Sequence, residues 1–263
     1  MNELSAEGES PPQPNDRRDL LHRMCALAAV GMATGTAALP SPASASEVPA
    51  LGAHGLRFHG LNTTAPSLTV SGLSTGASGS SLLVCVGRGN LSATATPTDN
   101  AGNAFVQIDT AHTYALYPNS GTALFACAKA KGMGMAGHAV TVAKPDPLDE
   151  VTLTVVEITG GGLVRDVKWR EVLSGQPLTS ASVTTTGAAL LVAWWWGDAG
   201  VADDKTAVPD NGFTVIDSVL AAGPLVQCAV AVKQVDAAGS YNVTWTSTPR
   251  QGAQLWLAAV QAA

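Results

Sequence analysis

From residue 67 onward, apolar positions recur at every second residue rather than every third or fourth. Val151-Thr152-Leu153-Thr154-Val155 is the clearest run, with apolar side chains alternating with hydroxyls. That period marks a strand with one covered face. Ala139-Val140-Thr141-Val142 and Tyr241-Asn242-Val243-Thr244-Trp245 continue the style. Turn-forming clusters separate the runs: Asp99-Asn100-Ala101-Gly102-Asn103, Pro118-Asn119-Ser120-Gly121, Asp210-Asn211-Gly212 and Ala221-Ala222-Gly223-Pro224. The pattern predicts strands near 81–86, 104–108, 123–129, 138–143 and 151–157. A second set is predicted near 188–196, 212–216, 225–233, 240–246 and 254–261, and a short strand near 67–70 precedes both. Only 165–173 has helical character, and its place between the sets makes it a linker or a single turn.

The two sets repeat one another. Leu82-Leu83-Val84 matches Leu190-Leu191-Val192, and Asn103-x-Phe105-x-x-Ile108-Asp109 matches Asn211-x-Phe213-x-x-Ile216-Asp217, both at an offset of 108. Cys127-Ala128 then matches Cys228-Ala229, and Leu153-x-Val155 matches Leu255-x-Leu257, at offsets of 101 and 102. A shared offset across separate blocks, with a few residues lost in between, indicates an internal duplication. Many short strands, Gly-rich turns and no amphipathic helix predict an all-β, jelly-roll-like β-sandwich of about ten to twelve strands with internal pseudo-two-fold symmetry. The copies span 67–163 and 176–263, joined by 164–175. They form either one sandwich or two tandem immunoglobulin-like modules. Copies of this length without a Pro-rich linker favour one shared core.

Asn103-Ala104-Phe105, Ala126-Cys127-Ala128-Lys129, Val155-Val156-Glu157-Ile158-Thr159-Gly160 and the Leu255-Trp256-Leu257-Ala258-Ala259-Val260 finish resemble a repeated sandwich module of secreted bacterial proteins and phage appendages. The resemblance covers most of 67–263 and rests on short structural motifs. It implies an extracytoplasmic module of adhesive or binding type and brings no catalytic residues with it.

Ahead of the strands, residues 1–45 read as an export signal. Arg17-Arg18 precedes a Gly-containing apolar stretch from Met24 to Leu39, and Ala43-Ser44-Ala45 has the small-x-small form of a cleavage site. The paired arginines resemble a twin-arginine signal, although Asp16, Leu20 and His22 depart from the commoner residues. Residues 46–66 then form an extended N-terminal segment. No apolar run approaches the ~20 residues that span a bilayer as a helix. The net charge of −6 argues against a nucleic-acid surface, which needs clustered Lys and Arg. The expected location is therefore periplasmic or extracellular.

Candidate chemistry is sparse. Cys85, Cys127 and Cys228 remain after the leader, an odd number without metal-binding spacing, each in an apolar run. No Gly-x-Ser-x-Gly elbow is present, and His54, His59, His112 and His138 lack metal spacing. Glu157 continues the face of Val151, Leu153 and Val155, so a regular strand would place a carboxylate at the end of an apolar face. It would then need Arg88, Arg165 or backbone donors; otherwise the strand ends at Val156 and Glu157 is solvated. In Trp194-Trp195-Trp196 the rings alternate faces, and alignment with the first copy turns Trp195 outward as a stacking platform for a sugar ring. The next loop clusters Asp198, Asp203 and Asp204, hard oxygen ligands that could hold Ca²⁺; no other cofactor is expected.

The expected function is an exported, non-catalytic sandwich that binds a surface ligand, a glycan or an envelope protein. Its contact residues would be Trp195, Trp196, Asp198, Asp203, Asp204 and Glu157. One alternative is a structural or self-assembling appendage subunit that forms homo-oligomers. The other is a sandwich-fold glycan hydrolase or lyase, with Glu157 and either Asp109 or Asp217 as paired carboxylates.

Overall fold

The computed structural model describes residues 47–60, 63–76, 78–90, 95–173, 177–197, 205–220, 227–248 and 251–263, all within one compact unit. The first copy contributes β1 (Ala50–His59), β2 (Ser67–Leu73), β3 (Ser78–Arg88), β4 (Thr98–Asp99), β5 (Val106–Thr113), β6 (Gly121–Lys131), β7 (His138–Ala143) and β8 (Val151–Thr159). The second contributes β9 (Leu163–Val172), β10 (Leu178–Thr179), β11 (Val183–Thr185), β12 (Ala189–Gly197) and β13 (Thr206–Pro209). It ends with β14 (Thr214–Val219), β15 (Cys228–Val235), β16 (Gly239–Tyr241), β17 (Thr244–Thr248) and β18 (Ala253–Gln261). Among the described residues one 3₁₀ turn, Gly134–Ala136, interrupts the strands. No helix among the described residues is long and apolar enough to cross a membrane. The expected leader, 1–45, lies outside the described residues.

The duplication is explicit in the pairing. The first copy forms a five-stranded sheet in the order β1-β8-β3-β6-β5 and a three-stranded sheet β2-β7-β4. The second repeats this as β9-β18-β12-β15-β14 and β10-β17-β13, with the small extra pair β11-β16. All pairs are antiparallel, and alternating strands between two sheets in this order is a jelly roll. Matching irregularities survive in both copies. β5 is bulged after Ile108, where Asp109 takes a positive φ, and β14 is bulged after Val215.

Each copy closes its own sandwich, and the two five-stranded sheets then stack face to face. One outer core joins Leu82, Val84, Val86, Phe125, Val151, Leu153 and Val155 to Leu68, Val70, Val140 and Val142 of the small sheet. The opposite outer core joins Leu191, Ala193, Trp195, Leu255 and Leu257 to Leu178, Val183 and Trp245. Between them a middle core holds Leu83, Cys85, Val156 and Ile158 against Leu190, Val192, Trp194, Trp196, Trp256 and Val260. The shared core expected from the sequence is this middle layer alone. The central strands of the five-stranded sheets are therefore covered on both faces, and every residue of β12 and of β18 is buried.

One expectation fails, that of helical character at 165–173. The stretch 165–173 is not a helical linker but most of β9, an edge strand paired with β18 along its length. A bulge at Ala259/Val260 shifts its register, so the inward residues fall at Val164, Val167 and Trp169. That spacing imitates a helix on paper. Within the extended segment expected at 46–66, Ala50–His59 pairs with β8, again across a bulge.

Candidate functional site

Trp195 does not face outward. Its ring is fully enclosed in the second outer core, packed among the residues that join β12 to the small sheets. The error comes from treating one face of β12 as free. The offset of 108 also sets Leu82, in an outer core, against Leu190, in the middle core, and a one-residue slip exchanges the faces of a strand. Trp196 is 1% exposed on the other side, where its indole N–H donates to Thr152 Oγ1 at 3.1 Å. Neither ring can stack on a sugar. Asp198, Asp203 and Asp204 lie outside the described residues, and so does the Ca²⁺ loop they would form. Among the described residues no three His, Cys, Asp or Glu side chains are grouped to hold a metal.

Three Trp of the middle core are donors in a cross-sandwich network. Trp194 Nε1 donates to Thr154 Oγ1 at 2.9 Å, and Trp256 Nε1 to Thr122 Oγ1 at 2.8 Å, beside the Trp196–Thr152 bond. The second copy supplies every indole and the first every hydroxyl. The hydroxyls of Thr152 and Thr154, read from the sequence as a solvated face, are inside. Tyr114 completes the layer by stacking on Trp196 at 5.2 Å and donating its hydroxyl to the Trp196 carbonyl at 2.6 Å.

Glu157 sits as the period predicts, on the same face as Val155, and is 1% exposed. It is held by backbone donors rather than by Arg88 or Arg165: the N–H groups of Ala53 and Gly76 donate to its two oxygens at 2.9 and 2.6 Å. Arg88 instead donates to Asp149 at 2.9 Å and to the Ala143 carbonyl, and Arg165 donates to the Ala262 carbonyl. The carboxylate thus clips β1 and the segment after β2 onto β8. Asp217 is bonded to His54 at 2.8 Å and Asp109 to His112 at 3.1 Å. The three acids imagined as catalytic pairs each serve a separate partner.

One constellation was invisible in sequence because its members lie far apart in the chain. The Thr75 hydroxyl lies 3.0 Å from His138 Nδ1, and His138 Nε2 lies 2.8 Å from Asp99 Oδ2. This hydroxyl–imidazole–carboxylate line has the order of a nucleophile relay. However, Thr75 is 3% exposed and its oxygen accepts the Met133 N–H, so the 132–134 segment covers it. It works as a buried pin between the small sheet and the neighbouring loops. Burial alone would raise the Asp99 carboxyl; hydrogen bonds from the Asn103 backbone and side chain, and from His138, outweigh it and hold it below the ordinary value.

The pseudo-two-fold axis creates two equivalent seams where the stacked sheets end, and they differ. At one, β1 lies against β14 and the His54–Asp217 pair bridges them, with Leu51, Phe58, Ile216 and Val219 packed on the middle core. At the other, β5 faces β9, and the residues equivalent to His54 and Asp217 are Val167 and Asp109. Here His112 stacks on Trp169 at 4.0 Å, closing one half of the seam. The remaining half is open, a cavity of about 550 Å³ lined by Val106, Ile108, Ala126, Val164 and Val167 with Arg165 and Asp166 at its rim.

No protein-family model matches the chain, and comparison with curated proteins and with solved structures gives no match. The evidence for function is therefore the geometry alone. Sequence reasoning missed the open seam because β9 was read as helical. The usable signal was the difference between the copies: a histidine at position 54 and a valine at its partner position, 167.

Proposed function

We propose that the protein is an exported, non-catalytic binding module whose contact site is the open seam between the two sandwiches rather than an exposed Trp surface. The observation that supports this is the asymmetry of two otherwise equivalent edges, one sealed by the His54–Asp217 hydrogen bond and packed side chains, the other left as an apolar slot of ligand size. The walls of the slot are the edge strands β5 and β9, each held by pairing to its own sheet, to β6 and β18. The chemistry is shape and apolar contact, with no bond made or broken.

The reading is tested with the neutral apolar dye 1-N-phenylnaphthylamine. One dye should bind per chain, and Ala126→Trp, which fills the slot, should abolish it. Absence of dye binding to the unaltered chain overturns the reading. Export is tested separately by sequencing the N-terminus of the secreted form, which should begin after Ala45. Self-assembly remains a second reading, because β1, β5, β9 and β14 are each paired on only one side among the described residues. Light scattering that shows a concentration-independent oligomer would favour it.

A further inference from the structure

We infer that the open seam binds a single-chain anionic amphiphile of the fatty-acid type, its tail between the two sheets and its carboxylate on Arg165. This inference rests on the seam being a binding site and goes on to name its ligand class. The cavity between β5 and β9, about 550 Å³, is large enough for a single alkyl tail. From Leu163 to Val167 the slot extends about 13 Å along β9 at ~3.3 Å per residue. Its walls are inward-facing side chains that elsewhere would be covered by the middle core, and Val106 at its mouth is 68% exposed. A linear tail would continue that core outward, as the β1 and β14 side chains do at the sealed seam.

The head group follows from the charges at the rim. β9 carries Arg165, Lys168 and Arg170 against Asp166 and Glu171, in a chain of net charge −6. Two nearby carboxylates are occupied: Asp166 accepts from Thr184 and pairs with Lys168 at 2.8 Å, and Asp109 is bonded to His112, while Glu47 shares the adjoining cavity with Arg165. Arg165 has no carboxylate partner among the described residues; its one hydrogen bond goes to the Ala262 carbonyl at 3.2 Å. It also lines the adjoining cavity of about 490 Å³. A guanidinium at the rim of an apolar slot selects an amphiphile with an anionic oxygen head, which it can bind through two parallel N–H donors.

The test titrates the full chain calorimetrically with dodecanoate, dodecyltrimethylammonium and 1-N-phenylnaphthylamine, all below micellar concentration. Dodecanoate should bind one per chain and more tightly than the cation. Arg165→Gln should weaken dodecanoate roughly tenfold and leave the neutral dye unchanged. Ala126→Trp should abolish all binding, and Val106→Glu, at an exposed position where folding is not in question, should do the same to dodecanoate. Equal affinity for both head groups, unchanged by Arg165→Gln, overturns the head-group assignment while the dye still reports the seam. Failure of the dye as well overturns the seam itself. A dimer of the full chain that Val106→Glu dissociates would place a second copy in the slot and overturn the inference.

Discussion

Replacing Trp195 by Ala distinguishes a buried ring from a surface platform by an order of magnitude in energy. The ring is fully enclosed, paired with Ala229 and Leu255 on the neighbouring strands, and packed in the second outer core. Deleting such a side chain costs about 3–5 kcal/mol, because the transfer free energy is lost and a cavity remains. A ring on the surface would cost within about 0.5 kcal/mol. For a chain of this size the buried case lowers Tm by roughly 6–20 °C. Urea unfolding followed by far-UV circular dichroism reads the difference. Trp→Phe variants refine it. Trp194→Phe removes the donor to Thr154 Oγ1, whereas Trp195 Nε1 has no acceptor among the described residues. Trp194→Phe should therefore cost about 1 kcal/mol more than Trp195→Phe. A Trp195→Ala protein as stable as the unaltered one would refute the placement of that ring, and with it the double burial of β12.

Glu157→Gln puts an amide N–H₂ against one of two backbone donors and should cost about 1–3 kcal/mol, again by urea unfolding; unchanged stability would mean that the clip does not form. Gly87 faces Trp196 so closely that a Cβ would overlap the indole and the Thr152 hydroxyl, so Gly87→Ala should cost about 1–3 kcal/mol. In a double-mutant cycle Trp196→Leu should recover part of that loss; strict additivity would contradict the contact. The Asp99 carboxyl is held below its usual value in the folded state, so its contribution to stability is fully present above about pH 4 and is lost as pH falls through its folded value. Asp99→Asn should flatten that part of the acid-unfolding profile, and an unaltered acid limb would contradict it. Burial pushes the Cys85, Cys127 and Cys228 thiols up, with Cys228 adding to the effect at Cys85. None should react with Ellman's reagent until the chain unfolds, and rapid native labelling of Cys85 or Cys228 would show that the middle core is open.

The strands of the sandwich and their duplication were legible because each copy obeys a period of two, and turn residues mark the boundaries. The same period placed Glu157 on its apolar face. What failed was inference that needed a free face. Alternation in Val151–Val155 looks like a strand half in water, yet the threonine hydroxyls of that run accept indole N–H groups from the other copy. Hydroxyl side chains satisfy buried donors as readily as they meet water, so polarity alone did not reveal the middle core. β9 was lost to a bulge that spaced its inward residues as a helix would. The Thr75–His138–Asp99 line and the open seam join residues distant in the chain, and only the folded topology brings them together.

Amide hydrogen exchange tests the stacked double sandwich most directly. If the two copies share a middle core, the amides of 83–86, 153–156, 190–193 and 255–258 should exchange slowest and open together in one cooperative unit, while those of β5 and β9 exchange faster. Separate opening of the two copies, or exchange at Trp194–Trp196 as fast as along β5, would contradict the fold on which the seam and its ligand depend.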